Sequence, residues 1–409
     1  MPSGKRDASS TRLEVRLRLC FFLRRPGPVP KRMSFWLGLL VGVSPLLAAT
    51  PAEKDLLQAR AQVTREGTCA AYSALANAST RRGMETADAA FFREADQALR
   101  QCLTLHAGSI EAAKSRVFLL LAEQEYAAAA AAASRLNRRV PDDLAVYGYL
   151  ADAEAGLGDY AGAVAATQWI LKLRAGNPAG LERAGYLREV TGDLDGAMEA
   201  TGMAYDATPA AQVEDRARLL IRMAHLRLAA GDPAEAEQFA GSALQWAPGA
   251  SAALGVLGEI RMAQKRYPEA AALFRRQHET TPAPRSQFAL AQALAAAGLA
   301  AEAGEAFAAF ERDAAAVCAR ADNANPQLVS YYLANGRPAE ALAAARLEIA
   351  RRHDIYTLDA YACALAGAGD LASARVEMAK ALAVGTSDQE ILRHARALGL
   401  RPAAPGGGE

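Results

Sequence analysis

GLGDYAGAVAA (Gly156–Ala166) poses the choice on which the fold turns. Two glycines flank one residue, and an alanine-rich stretch follows. Such a stretch is either a loop that cradles a phosphate at a helix start or a tight turn between two packed helices. A phosphate loop requires a preceding strand and a Gly-Lys-Ser/Thr or Gly-x-x-Gly geometry. No strand-like alternation precedes Gly156, and neither glycine pattern is present.

The turn is one of a series. With Tyr160 as reference, equivalent points fall at Phe92, Tyr126, Leu194, Pro233, Tyr267, Ala300, Pro338 and Leu371. The steps between the nine points are 34, 34, 34, 39, 34, 33, 38 and 33 residues. Three residues after each point stand Ala95, Ala129, Ala163, Ala197, Ala236, Ala270, Ala303, Ala341 and Ala374. About a quarter of the chain is alanine, so nine matches by chance are on the order of a few in a million before register is chosen. Close helix packing explains the choice, because a larger side chain there would push paired helices apart.

A fixed period near 34 residues with a small residue at this place resembles the tetratricopeptide-repeat family, over roughly Thr50 to Leu400. SAALGVLGEIRMAQKRYPEAAALFRRQHETTP (Ser251–Pro282) matches its pattern best, with Leu257-Gly258 at the usual Leu-Gly of the first helix. Pro141, Pro209, Pro248 and Pro282 stand near the ends of repeats. The resemblance implies an all-α fold: a right-handed α-solenoid superhelix of about nine helix-turn-helix repeats over residues 50–386. A capping helix is expected over residues 387–400, with Ser387 as its N-cap, followed by a disordered tail over 401–409. The steps of 39 and 38 predict a longer helix or an inserted loop around Thr208–Ala217 and Asp313–Ala324.

Charge separates the two ends of the chain. Residues 1–32 hold nine Lys/Arg and two Asp/Glu, a net of +7, and residues 33–49 hold none. The whole chain is +1, so the remainder carries 1 − 7 = −6. A mildly acidic body with 6% aromatics lacks the basic footprint and stacking platforms of a nucleic-acid binder. Lys31 and Arg32 precede the apolar run Phe35–Ala49, fifteen residues long, against about 20 for a bilayer span. Residues 1–49 therefore read as an extension plus signal peptide cut near Ala49, exporting the rest to a periplasmic or secreted location. The alternative is an uncleaved membrane anchor.

The sequence offers no catalytic constellation. His106, His225, His278, His353 and His394 include no pair at ligand spacing on one helix, and no HExxH, Gly-x-Ser-x-Gly or CxxC occurs. No catalytic residue, cofactor or metal is expected, and an enzyme with a site built across repeats is the least favoured reading. Among the five cysteines, Cys69 lies in what reads as one long first helix, Lys54–Ala78, and Cys102 in the next, antiparallel to it and joined around Ser79–Thr86. Export would let them form a disulfide.

What the resemblance implies about function is a concave face, lined by first helices, that binds a peptide or a partner's helix. The matching positions are Lys114, Phe118, Asp152, Glu182, Tyr186, Glu189, Arg218, His225, Glu259, Met262, Arg285, Phe288, Gln292, Tyr356 and Asp359. Their charge has no single sign. Arg218 and Arg222 resemble the basic half of a carboxylate clamp found in some family members. Asp152 and Tyr186 stand where its asparagines would be sought. The expected protein is a non-enzymatic scaffold, either exported or held at a membrane by its N-terminal segment.

Overall fold

The computed structural model describes residues 50–401. The expected leader with its expected cleavage site near Ala49, and the expected tail from Pro402, lie outside the described residues. Those residues form twenty helices and no strand. None of these helices is long and apolar enough to cross a membrane.

Helix α1 (Pro51–Glu66) leads nine helical hairpins. The first three are α2 (Cys69–Thr86) with α3 (Ala89–Leu105), α4 (Ile110–Ala122) with α5 (Tyr126–Arg139), and α6 (Leu144–Leu157) with α7 (Tyr160–Leu173). The next three are α8 (Pro178–Val190) with α9 (Leu194–Ala207), α10 (Val213–Ala229) with α11 (Pro233–Trp246), and α12 (Ser251–Ala263) with α13 (Tyr267–Thr280). The last are α14 (Pro284–Ala296) with α15 (Ala300–Val317), α16 (Asn325–Ala334) with α17 (Pro338–Ile349), and α18 (Ile355–Gly367) with α19 (Leu371–Leu382). Helix α20 (Gln389–Ala397) closes the series.

Eight of the nine periodic points are the first residue of a second helix. Phe92 is the exception, because α3 begins three residues earlier at Ala89. Every one of the nine alanines is buried, Ala303 at 4% exposure and the others at 0%. First helices approach equally closely. A Cβ on Gly258 would stand 2.6 Å from the Phe274 ring, and one on Gly83 2.5 Å from Phe92. The seams therefore lock a ring of one helix over a bare backbone of its partner. Both longer steps have a visible cause. Helix α10 is 17 residues long after a short connection, and α15 runs on for 18 residues before the 318–324 turn.

Each hairpin turns through a single left-handed residue: Ala87, Gln124, Gly158, Gly192, Gly231, Lys265, Gly298, Gly336 and Gly369. In four of them the glycine is followed by aspartate, and that side chain caps the second helix. Asp159, Asp193, Asp232 and Asp370 accept from the amides of Gly162, Gly196, Glu235 and Ser373 at 2.9–3.0 Å. The repeated Gly-Asp is thus a stop signal and a start signal placed side by side. GLGDY is such a turn.

Two expectations need correction. The long helix expected through Cys69 is broken at Gly67, in the left-handed region at φ 59°, so Cys69 opens α2. Helix α2 then runs on through Thr86, which moves the turn past the Ser79–Thr86 stretch. The last helix is capped not by Ser387 but by Asp388, which accepts from the amides of Glu390 and Ile391 at 2.9 and 3.0 Å. Ser387 lies one residue too early to reach them.

The array curls until late repeats meet early ones. His353 N–H donates to Leu157 O at 2.9 Å, and Ile355 N–H donates to the Tyr160 hydroxyl at 3.1 Å. Arg352 donates to Gln124 Oε1 at 3.2 Å. Tyr160, Tyr186 and Val190 pack into one apolar cluster with Ile355, Leu358, Met378 and Ile391. Gly158 sits at the contact itself: a Cβ there would lie 2.4 Å from the carbonyl oxygen of His353.

Candidate partner-binding cleft

The concave candidates are held first by one another. Lys114 on α4 reaches Asp143, the cap of α6, at 2.7 Å, and that contact raises its pKa. Asp152 on α6 takes a two-pronged bond from Arg183 on α8 at 2.8 and 2.6 Å. Glu182 and Glu189 on α8 pair with Arg218 and Arg222 on α10. His225 on α10 stands 3.3 Å from Glu259 on α12. The mixed charge of the sequence row is therefore a ladder of pairs between successive first helices. Arg218 and Arg222, the clamp-like pair, are both engaged in it.

Several of the concave candidates remain open to solvent while surrounded by protein. The Arg218 side chain keeps 52% exposure, yet desolvation lowers its pKa. Arg285 is likewise exposed and lowered by desolvation, with the nearby Arg352 charge adding to it. Tyr356 keeps 44% exposure, and desolvation, followed by the charge of Glu189, raises its hydroxyl. Accessible water together with desolvation is the signature of a hollow rather than a convex face.

Curling back turns part of that hollow into a cleft of about 400 Å³. Four expected residues line it: Glu189, His225, Glu259 and Tyr356. Arg222 and the start of α20, with Asp388 and Glu390, complete the wall. Four carboxylates face one arginine and one histidine, so the cleft is acidic although the whole row of candidates is mixed. Other candidates fall elsewhere. Phe288 belongs to an aromatic core, its ring 4.8 Å from Phe310 and 6.0 Å from Phe307. Tyr186 is packed beneath the late repeats, its hydroxyl raised by desolvation, with Arg222 over its ring at 4.9 Å. Phe118 is half-buried and Gln292 exposed, and neither lines the cleft. Asp359 faces His394 rather than the cleft. The Sγ atoms of Cys69 and Cys102 meet across the α2–α3 hairpin, with Cys102 fully buried.

A tetratricopeptide-repeat family model matches residues 227–294, which hold the end of α10, all of α11 to α13 and most of α14. Residues 227–294 are tetratricopeptide repeats, and the other hairpins share their fold. Solved structures agree on the fold. The chain is similar to a human IFIT1 dimer with PPP-AAAA, at 13% identity and TM-score 0.51, over 83% of this chain and 96% of that one. It is similar to the same human protein with m7Gppp-AAAA at 14% identity and TM-score 0.50, over 81% and 85%. A third likeness, to the APC/C hetero-tetramer Cut9–Hcn1, has 10% identity and TM-score 0.46. It covers 80% of this chain but only 55% of that one. No curated protein matches the chain.

Sequence reasoning missed the start of α20 as a wall of the cleft, because it joins the tetratricopeptide groove only through the curl. It also missed that Asp359 and Cys363, one helical turn apart, meet His394. The spacing of four between Asp359 and Cys363 was readable, but their partner 35 residues away was not.

Proposed function

We propose that the protein is a non-enzymatic scaffold that holds a basic segment of a partner protein in the cleft between α8, α10, α12 and α20. The observation that carries this reading is the acidic wall of Glu189, Glu259, Asp388 and Glu390 around the half-exposed Tyr356 ring. Lys and Arg side chains of an extended peptide would meet carboxylates there, and an aromatic face accepts a guanidinium well. The cleft volume lies within the usual range of ligand sites. Because the wall is built from packed helices, little ordering is needed when the peptide arrives. Export after removal of residues 1–49, rather than anchoring, is the placement that the basic, then apolar, leader supports.

The test is a peptide array of matched basic, neutral and acidic sequences, probed with the full chain and with Glu259→Lys and Tyr356→Ala variants. Lys/Arg-rich peptides should be retained by the parent, and each variant should weaken them by at least about tenfold, the size of a central contact in an interface. Binding with no charge preference, or unchanged in both variants, overturns the reading.

A further inference from the structure

Asp359, Cys363 and His394 have no role in the cleft. Asp359 and Cys363 are i and i+4 on α18, so they share one face of that helix. His394 comes from α20 and brings its Nδ1 to 2.9 and 3.0 Å from the two carboxylate oxygens of Asp359. Cys363 Sγ lies 3.9 Å from Asp359 Oδ1. One donor atom from each residue lies within 4.8 Å of the other two, and no other group of three such residues does so among the described residues. Ligands of a tetrahedral ion at about 2.0–2.3 Å stand about 3.3–3.6 Å from one another, so side-chain shifts of about 1 Å close the set.

The donor types point to the ion. Calcium and magnesium take oxygen, whereas one sulfur, one imidazole nitrogen and one carboxylate oxygen match zinc. We propose that Asp359, Cys363 and His394 form a three-donor site for a zinc-class divalent cation that fastens the terminal helix α20 to α18.

The protonation states follow from the surroundings. With no cation present, burial and the charges of Asp359 and Glu390 push the Cys363 thiol up to about 12, so it is a neutral S–H. His394 donates its Nδ1–H to Asp359, while Arg393 stands 3.3 Å from Nε2. On binding, the thiol proton leaves to solvent and the sulfur lone pair goes to the ion. The Nδ1 proton leaves and the other ring nitrogen takes one up, so the neutral imidazole ligates through Nδ1. Arg393 then loses its acceptor, but it is exposed and already held by Glu390 at 3.0 Å. One proton is released per ion when the imidazole begins neutral, and affinity falls as pH falls.

The experiment uses the full chain with Cys20→Ser and Cys318→Ser, so that Cys363 is the single thiol outside the Cys69–Cys102 pair. Cobalt(II) is the optical probe and zinc chloride the competitor. The expected result is one cobalt per chain with a thiolate-to-cobalt charge-transfer band, removed stoichiometrically by zinc. Cys363→Ser should abolish the band. Cys363→Ser, His394→Gln and Asp359→Asn should each weaken zinc binding at least about tenfold, the loss seen even for partners outside the ligand set. Zinc should also slow amide exchange in α20. Circular dichroism of the metal-free variants separates lost ligands from lost fold, and any one folded variant suffices. Cobalt bound without the sulfur band overturns the proposal. So does no binding at millimolar zinc, or zinc affinity within twofold of the parent in a folded Cys363→Ser or His394→Gln variant.

Discussion

Replacing Gly158 with alanine tests the curl of the array, and Gly231 supplies its control. Both glycines are left-handed, at φ 85° and 83°. The strain of an L-residue there is about 1–2 kcal/mol. Alanine also restricts the unfolded chain, which returns about 0.4–1 kcal/mol. The net conformational loss is therefore about 0.5–1 kcal/mol at either site. The surroundings differ. Nothing lies within 4 Å of a Cβ at Gly231, whereas at Gly158 the Cβ would stand 2.4 Å from His353 O and 2.7 Å from Asp354 N. Those are backbone atoms and cannot swing aside. Relief requires separating the late repeats from the early ones, losing at least the His353-to-Leu157 hydrogen bond, about 0.5–1.5 kcal/mol. Gly158→Ala should thus cost about 1–2.5 kcal/mol in all. Because repeat arrays can unfold in parts, the measurement is amide exchange at His353 and Ile355 beside a thermal melt. Gly158→Ala should release both amides, and Gly231→Ala should leave them protected. Equal effects of the two changes, within about 0.5 kcal/mol and with both amides still protected, would refute the closed contact.

Three further outcomes are expected. Ala270→Phe should destabilise by about 1–3 kcal/mol through overpacking, while Arg266→Phe at the exposed N-cap of the same helix, α13, should stay within about 0.5 kcal/mol in denaturant titration. Glu237 is held by Arg261 at 2.6 and 2.7 Å, and that bond, against some desolvation, lowers its pKa to about 2. A lowered carboxylate stabilises above its unfolded pKa and loses that contribution as pH falls toward 2, so Glu237→Gln should lower the melting point at pH 7 but not at pH 2. With the glutamate 40% exposed, screening limits the effect to about 0.5–1 kcal/mol. Thiol titration of the denatured, unreduced full chain should count three of the five cysteines if Cys69 and Cys102 are bridged, and five if they are not. Closing a loop of this length contributes about 3–4 kcal/mol, which reduction should remove.

The hairpins were legible because each is specified locally. Gly-Asp turns, the alanine three residues into each second helix and the Leu257-Gly258 contact act over short stretches that recur in phase. The break before Cys69 was also written, as Gly67-Thr68, but the helical pattern on both sides masked it. The cleft was not legible. Glu189 and Glu259 lie on first helices and could be placed by register, but Asp388 and Glu390 reach them only after the small rotation of each repeat has accumulated. No residue pattern records that sum. The same holds for His394: its approach to Asp359 depends on how α20 lies over α18, and α20 belongs to no repeat. Phe288 shows that one register position serves both the groove side and the packing: it is half-buried against Phe307 and Phe310.

The contact between Tyr160 and Ile355 joins residues 195 positions apart, and this bears on how the chain is made. A ribosome adds about 5–20 residues per second, so Ile355 emerges about 10–40 seconds after Tyr160. Early hairpins can fold as they appear, since each is a local unit. During that interval Tyr160, Tyr186 and Val190 lack the cover of Ile355, Leu358, Met378 and Ile391. The nascent chain therefore carries an apolar seat that its own last repeat must fill. A truncation before residue 355 would leave that seat open permanently, as a place for a chaperone or a second nascent chain to bind.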